Sequence, residues 1–94
     1  MLIISGRLYL KAGAMEQFLA SSKEAVALAR SARGCRDFVV ASDPLEPDRI
    51  NVDEEWESET ALLEFRGSGP DSGMLSAIAR AEVFRHTISS TGRA

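Results

Sequence analysis

Leu2, Ile4, Leu8 and Leu10 alternate with Ser5, Arg7 and Tyr9. This period of two predicts a first strand over Leu2–Leu10. Gly6 falls on the apolar parity, where it permits a bend or a close approach. Lys11-Ala12-Gly13 breaks the alternation. From 14 to 33 the period changes: Met15, Phe18, Leu19, Ser22, Val26 and Ala29 make one helical stripe, and recurrent Ala favours the helix. Glu16 in the first turn and Arg30 and Arg33 near the end suit the helix dipole. Gly34 is placed to take a left-handed backbone and end it. A second strand follows over Cys35–Ser42, then a loop at 43–48 holding Pro44 and Pro47, then a third strand over 49–57. Ser58 caps a second helix with Glu59 in its first turn. Leu62, Leu63 and Phe65 form that helix's apolar side, and Gly67-Ser68-Gly69-Pro70 ends it. A short helical turn is expected over 72–79, a last strand over 82–89, and a frayed tail over 90–94.

The order is β-α-β-β-α-β, an α+β, ferredoxin-like arrangement with a four-stranded antiparallel sheet. Right-handed crossovers put both helices on one sheet face. The expected bare face holds Ile3, Ser5, Arg7, Tyr9, Val39, Ala41, Val83 and Thr87, which is too apolar to stay solvated. A second copy of the sheet is the expected cover, giving a two-fold homodimer.

The 94 residues read as one domain, 1–94, with a modest core that a partner would help to complete. The net charge of −3 argues against nucleic acid as the main partner. The lone cysteine, Cys35, excludes an intramolecular disulfide and fits a reducing compartment. The N-terminal stretch lacks a basic leader and a long apolar run, so it does not read as a signal peptide. No apolar run reaches membrane-spanning length. The expectation is a soluble, cytoplasmic protein with no membrane partner.

Three stretches carry a family likeness: Gly34-Cys35-Arg36-Asp37-Phe38; Asp43-Pro44 with Pro47-Asp48-Arg49; and Glu54-Glu55-Trp56-Glu57-Ser58. With the opening strand running into Lys11-Ala12-Gly13, they resemble the antibiotic-biosynthesis monooxygenase family of small dimeric α+β barrels. The resemblance covers positions 2 to 66 well and the last third loosely. It implies a homodimer with a pocket in each subunit between sheet and helices. It further implies oxygenation of a polycyclic anthrone or quinol without metal or flavin, the substrate supplying the electrons to O₂. Relatives that degrade haem look for a His on or near the second helix and an Asn on a strand. Here Phe65 stands at that position, and Asn51 has the opposite parity from Trp56, so haem handling ranks last.

Within this frame Trp56 reads as a flat wall for an aromatic substrate or as a core residue joining sheet to helix. His86, the only histidine, is a proton acceptor if the parity of Phe84 and Ile88 turns toward the helices. Glu54 shares the parity of Trp56, and burial would make it a usable base. Its other reading is an ion pair with a neighbouring Arg. Asp53, Glu55, Glu57 and Glu59 read as a solvated edge or as partners for Arg7, Arg36 and Arg85, not as a metal site. Arg7 and Tyr9 are candidates to bind a phenolate or to meet a second subunit. Phe18 and Phe65 are candidate pocket walls at core spacing. Cys35 follows a helix end, where nothing activates a thiol.

The reading is therefore a cofactor-independent monooxygenase or related oxidoreductase acting on a small aromatic with O₂. His86 or Glu54 would accept the proton, with Trp56, Phe18, Phe65, Arg7 and Tyr9 at the substrate. No cofactor or metal is expected. The competing reading is a dimeric module that binds a small apolar metabolite or serves a structural role without catalysis.

Overall fold

A computed structural model describes residues 1–67 and 75–94. The chain runs β1 (Leu2–Leu10), α1 (Met15–Ser31), β2 (Cys35–Ser42), β3 (Arg49–Trp56), α2 (Glu59–Arg66) and β4 (Ile78–Thr87). The strands form one antiparallel sheet in the order β2-β3-β1-β4. The β-α-β-β-α-β arrangement follows directly from the alternation of apolar periods.

β1 is central and its register fixes the two faces. Ile4 lies between Glu54 of β3 and Arg85 of β4, whereas Ile3 lies between Glu55 and His86. Side chains alternate across a strand, so Leu2, Ile4, Ile50, Val52, Glu54, Trp56, Phe38 and Val40 share the helix side. Two core clusters form there. One joins Leu2, Ile4, Ala29, Phe38, Trp56, Ala61 and Leu62. The other joins Leu10, Phe18, Ile50 and Val52 at the opposite end of β3. The open face carries Ile3, Ser5, Arg7 and Tyr9 beside Glu55, Asp53, Asn51 and Arg49, and beside His86, Phe84, Glu82 and Arg80.

Several expectations need correcting. Val83 and Thr87 pair with Gly6 and Leu2 and so face the helices. Val83 packs against the first cluster. Phe84 takes the open-face position instead and is 62% exposed. β4 begins at Ile78, earlier than residue 82. Its ladder with β1 continues through a bulge between Tyr9 and Leu10, and the Lys11 N–H donates to the Ala77 carbonyl at 2.9 Å. The expected helical turn at 72–79 is present at Leu75 and Ser76 and gives way to this strand at Ile78; its first residues lie outside the described ones, as do Ser68, Gly69 and Pro70. Leu63 is exposed; α2 buries Ala61 and Leu62 and half-buries Phe65.

The connections obey local chemistry. α1 stops at Ser31 because Ala32 is extended, and the Cys35 N–H then closes a turn onto the Ala32 carbonyl at 3.2 Å. Gly34 has φ +83 in that turn, a left-handed geometry that glycine adopts without penalty. The Ser58 hydroxyl accepts from the Ala61 N–H at 3.1 Å and caps α2 as its spacing predicts. β2 is an edge strand, and its Phe38 backbone is closed off by side chains. Arg30 of α1 donates to the Phe38 carbonyl at 2.8 Å, and the Asp37 carboxylate accepts the Phe38 N–H at 2.9 Å. Such capping protects an edge from unwanted strand pairing.

Candidate functional site

β3 places Glu54 and Trp56 two residues apart, hence on the same face. The Trp56 Nε1–H donates to Glu54 Oε1 at 3.0 Å. In the sheet Glu54 is flanked by Ile4 on one side and Phe38 on the other. Trp56 is flanked by Leu2 and Cys35. Phe65 descends from α2 onto both aromatic neighbours, 5.3 Å from the Trp56 ring and 6.0 Å, edge-on, from the Phe38 ring. Such offset and edge-on contacts are the favoured aromatic geometries. A carboxylate thus sits among apolar and aromatic side chains with a single hydrogen-bond donor. Burial pushes its pKa up; the Trp56 bond and the nearby Arg66 cation act against that rise, and Asp53 adds to it. A carboxyl held in this way is a fit proton acceptor.

The structure brings together Glu54, Trp56 and Phe65 among the expected residues. Trp56 is fully enclosed, so its ring presents no bare wall. Phe18 belongs to the second cluster with Leu10, Ile50 and Val52, away from Trp56. Arg7, Tyr9 and His86 lie on the open face. There Arg7 pairs with Glu82 at 3.4 Å, and the Arg80 guanidinium stacks 4.3 Å over the Tyr9 ring. His86 is exposed and lies across from Ile3, so its face does not turn toward the helices. Sequence reasoning missed Phe38 and Arg66 as neighbours of Glu54. A bulge at Arg36 resets the β2 parity, so that Cys35 and Phe38 both pair with helix-side residues of β3.

Other charged groups make contacts within the fold. Arg85 reaches from β4 to Glu59 in the first turn of α2 at 3.2 Å. Asp43 accepts from Asn51 and from the Leu45 and Glu46 amides at 2.9–3.0 Å. With Arg49 also near, these bonds hold its carboxyl down at about 2. The Cys35 thiol is pushed up by burial and by Asp37 and Glu54, which makes it a weak nucleophile. Among the described residues no three His, Cys, Asp or Glu side chains are grouped so as to hold a metal ion. No helix among them is long and apolar enough to cross a membrane.

Among the described residues, clefts lie against the helices. One of about 310 Å³ runs between α1 and α2 and is lined by Leu28, Ala32, Arg33, Ala61, Glu64 and Phe65. Another, about 510 Å³, lies between α1 and β2 around Val26 and Val40. Phe65 is common to the first cleft and to the aromatic cluster with Trp56 and Phe38, whereas Glu54 and Trp56 line neither cleft.

No curated protein matches the chain. Solved structures do. One from Chloroflexus aurantiacus, whose name assigns it provisionally to the antibiotic biosynthesis monooxygenases, is 26% identical, with a TM-score of 0.79 over 99% of this chain and 96% of that one. Two others with names of the same provisional kind share the fold at lower identity. The one from Deinococcus radiodurans is 16% identical, with a TM-score of 0.81 over 100% and 98% of the two chains. The one from Bacteroides thetaiotaomicron is 18% identical, with a TM-score of 0.81 over 100% and 93%. The family model described as antibiotic biosynthesis monooxygenase matches residues 1–85, from just before β1 through nearly all of β4. By that match the chain belongs to the antibiotic biosynthesis monooxygenase family.

Proposed function

We propose that the protein is a monooxygenase that acts on a small electron-rich aromatic, of the anthrone or quinol kind, with O₂ and without an added cofactor. Glu54 is the proton acceptor. The observation that carries this reading is the Glu54 carboxylate set between Ile4 and Phe38 and bonded to the Trp56 indole, with its pKa raised by burial. Family membership supports the reaction class.

For an anthrone the chemistry closes without an outside reductant. Glu54 takes a proton from the ring CH₂ group, which leaves a delocalised carbanion. That anion passes its electrons to O₂ and forms a carbon–oxygen bond, giving a peroxide on the same carbon. Loss of the second C–H proton, with cleavage of the O–O bond, yields the carbonyl and one water. One O₂ is consumed per carbonyl formed. The apolar surround of Glu54 favours the spread-out carbanion over localised charge. Phe65 meets the substrate from the helix side, where it also lines the 310 Å³ cleft.

The open sheet face, with Phe84 62% exposed on the edge strand β4, supports a homodimer formed by a second copy of the sheet. Arg7, Tyr9 and His86 then belong to the subunit contact. A cytoplasmic setting fits the single, chemically quiet Cys35. Oxygen uptake with a panel of anthrones and quinols, at saturating substrate and with chelator present, tests the reaction class. Uptake equal to carbonyl formed is expected. Binding without uptake across the panel would instead favour a non-catalytic binding module.

A further inference from the structure

Trp56 has no exposed surface through which to touch a ligand, yet its one polar atom is committed to a side chain that does reach the surface. We infer that Trp56 is a positioning residue: its indole N–H fixes the Glu54 carboxylate through Oε1, leaving Oε2 to receive the proton from substrate. This rests on Glu54 being the acceptor proposed above.

The geometry supports each part. The indole cannot swing away, because Leu2 and Cys35 flank Trp56 in the sheet and Phe65 stacks on it at 5.3 Å. Its Nε1–H therefore points at Glu54 from a fixed origin, at 3.0 Å. Among the described residues, the Glu54 side chain makes no other hydrogen bond and no ion pair. Nor is any side-chain oxygen or nitrogen among them both sealed in and unpartnered. Oε2 therefore carries no hydrogen bond and is not sealed from solvent. A single neutral donor on Oε1 favours the anion without neutralising it.

The charged groups around Glu54 come from every element packed there. Arg66 of α2 favours the anion, and Asp53 on the same strand opposes it. Cys35 of β2 is near enough to feel the carboxylate. Arg85 of β4 lies across Ile4 but is spent on Glu59, and Arg30 of α1 is spent on the Phe38 carbonyl and Asp37. Among the described residues the indole is therefore the one rigid polar group that holds the carboxylate.

The chain has one tryptophan. Biosynthetic replacement of tryptophan by benzothienylalanine, which keeps the ring shape and removes the N–H, therefore alters position 56 alone. Trp56→Phe is the genetic counterpart. The carboxyl carbon of Glu54 is titrated by ¹³C NMR, and the pH profile of kcat/KM is recorded with an anthrone. Losing the donor is expected to raise the Glu54 pKa by about one unit and to move the acid limb of kcat/KM up by the same amount. An unmoved carboxyl titration in the analogue protein overturns the assignment whatever the kinetics show. A shifted carboxyl with a stationary kinetic limb supports the Trp56 assignment and contradicts Glu54 as the base.

Discussion

Gly34 lies so close beneath α2 that a Cβ at position 34 would sit 2.4 Å from the Ala61 Cβ. Its φ of +83 adds a second demand that only glycine meets cheaply. The same contact seats α2 over Trp56, because the Glu57 N–H donates to the Gly34 carbonyl at 2.8 Å just before that helix begins. Gly34→Ala is expected to lower stability by about 1–3 kcal/mol, a Tm drop of roughly 5–15 °C. Thermal unfolding followed by circular dichroism measures this. An unchanged Tm would mean that the turn and helix part without cost.

Glu54 should also be visible in equilibrium stability. Its folded pKa is raised, so the folded state binds the proton more tightly than the unfolded chain. The stabilising contribution is complete below the ordinary value of 4.5 and is lost as pH rises through the raised value. In the Glu54→Gln variant the side chain carries no charge and still offers an oxygen to the Trp56 N–H. The urea midpoint of Glu54→Gln relative to wild type is therefore expected to climb as pH increases above 4.5. A difference that stays flat with pH would show that Glu54 is not desolvated.

Asp43 behaves in the opposite sense. Its carboxyl is held at about 2 by Asn51 and by two backbone amides of its own loop. The stability this adds is present above the ordinary value of 3.8 and fades as pH falls toward about 2. Asp43→Asn should flatten the loss of stability over that range, as read from urea midpoints at stepped pH. Equal slopes in the two proteins would place the acid lability elsewhere.

Much of this is legible in the residue pattern. β1 and β3 have apolar residues largely on one parity, so their faces can be read directly, and the shared face of Glu54 and Trp56 follows from their spacing. β4 cannot be read this way. Val83 and Phe84 are adjacent and both apolar, and only the register Gly6 to Val83 and Ser5 to Phe84 decides which turns inward. Helical spacing names Phe18 as buried but does not say which end of the sheet it meets. Apolar weight alone misplaces Leu63, because Ala61, a small residue, takes the inward position against Gly34. The bond between Glu54 and Trp56 depends on two side-chain rotamers, which no sequence period encodes.

Phe84 gives the open face its largest exposed apolar side chain, across from Ser5 and beside the Arg7–Glu82 pair. Phe84→Glu should weaken self-association roughly tenfold or more, since it puts a charge where an aromatic contact is expected. Sedimentation velocity over a dilution series measures it. A wild-type chain that is monomeric at every concentration, or a variant that dimerises equally well, would remove the sheet-to-sheet contact.

The most direct measurement compares kcat/KM for O₂ uptake by wild type, Glu54→Gln and His86→Ala with the same anthrone. The half-buried carboxylate is expected to matter and the open-face histidine is not: the Glu54→Gln variant should fall about 10²- to 10⁴-fold, with His86→Ala close to wild type. Full turnover by Glu54→Gln, or a comparable collapse in His86→Ala, would contradict a catalytic centre at the Glu54–Trp56 end of β3.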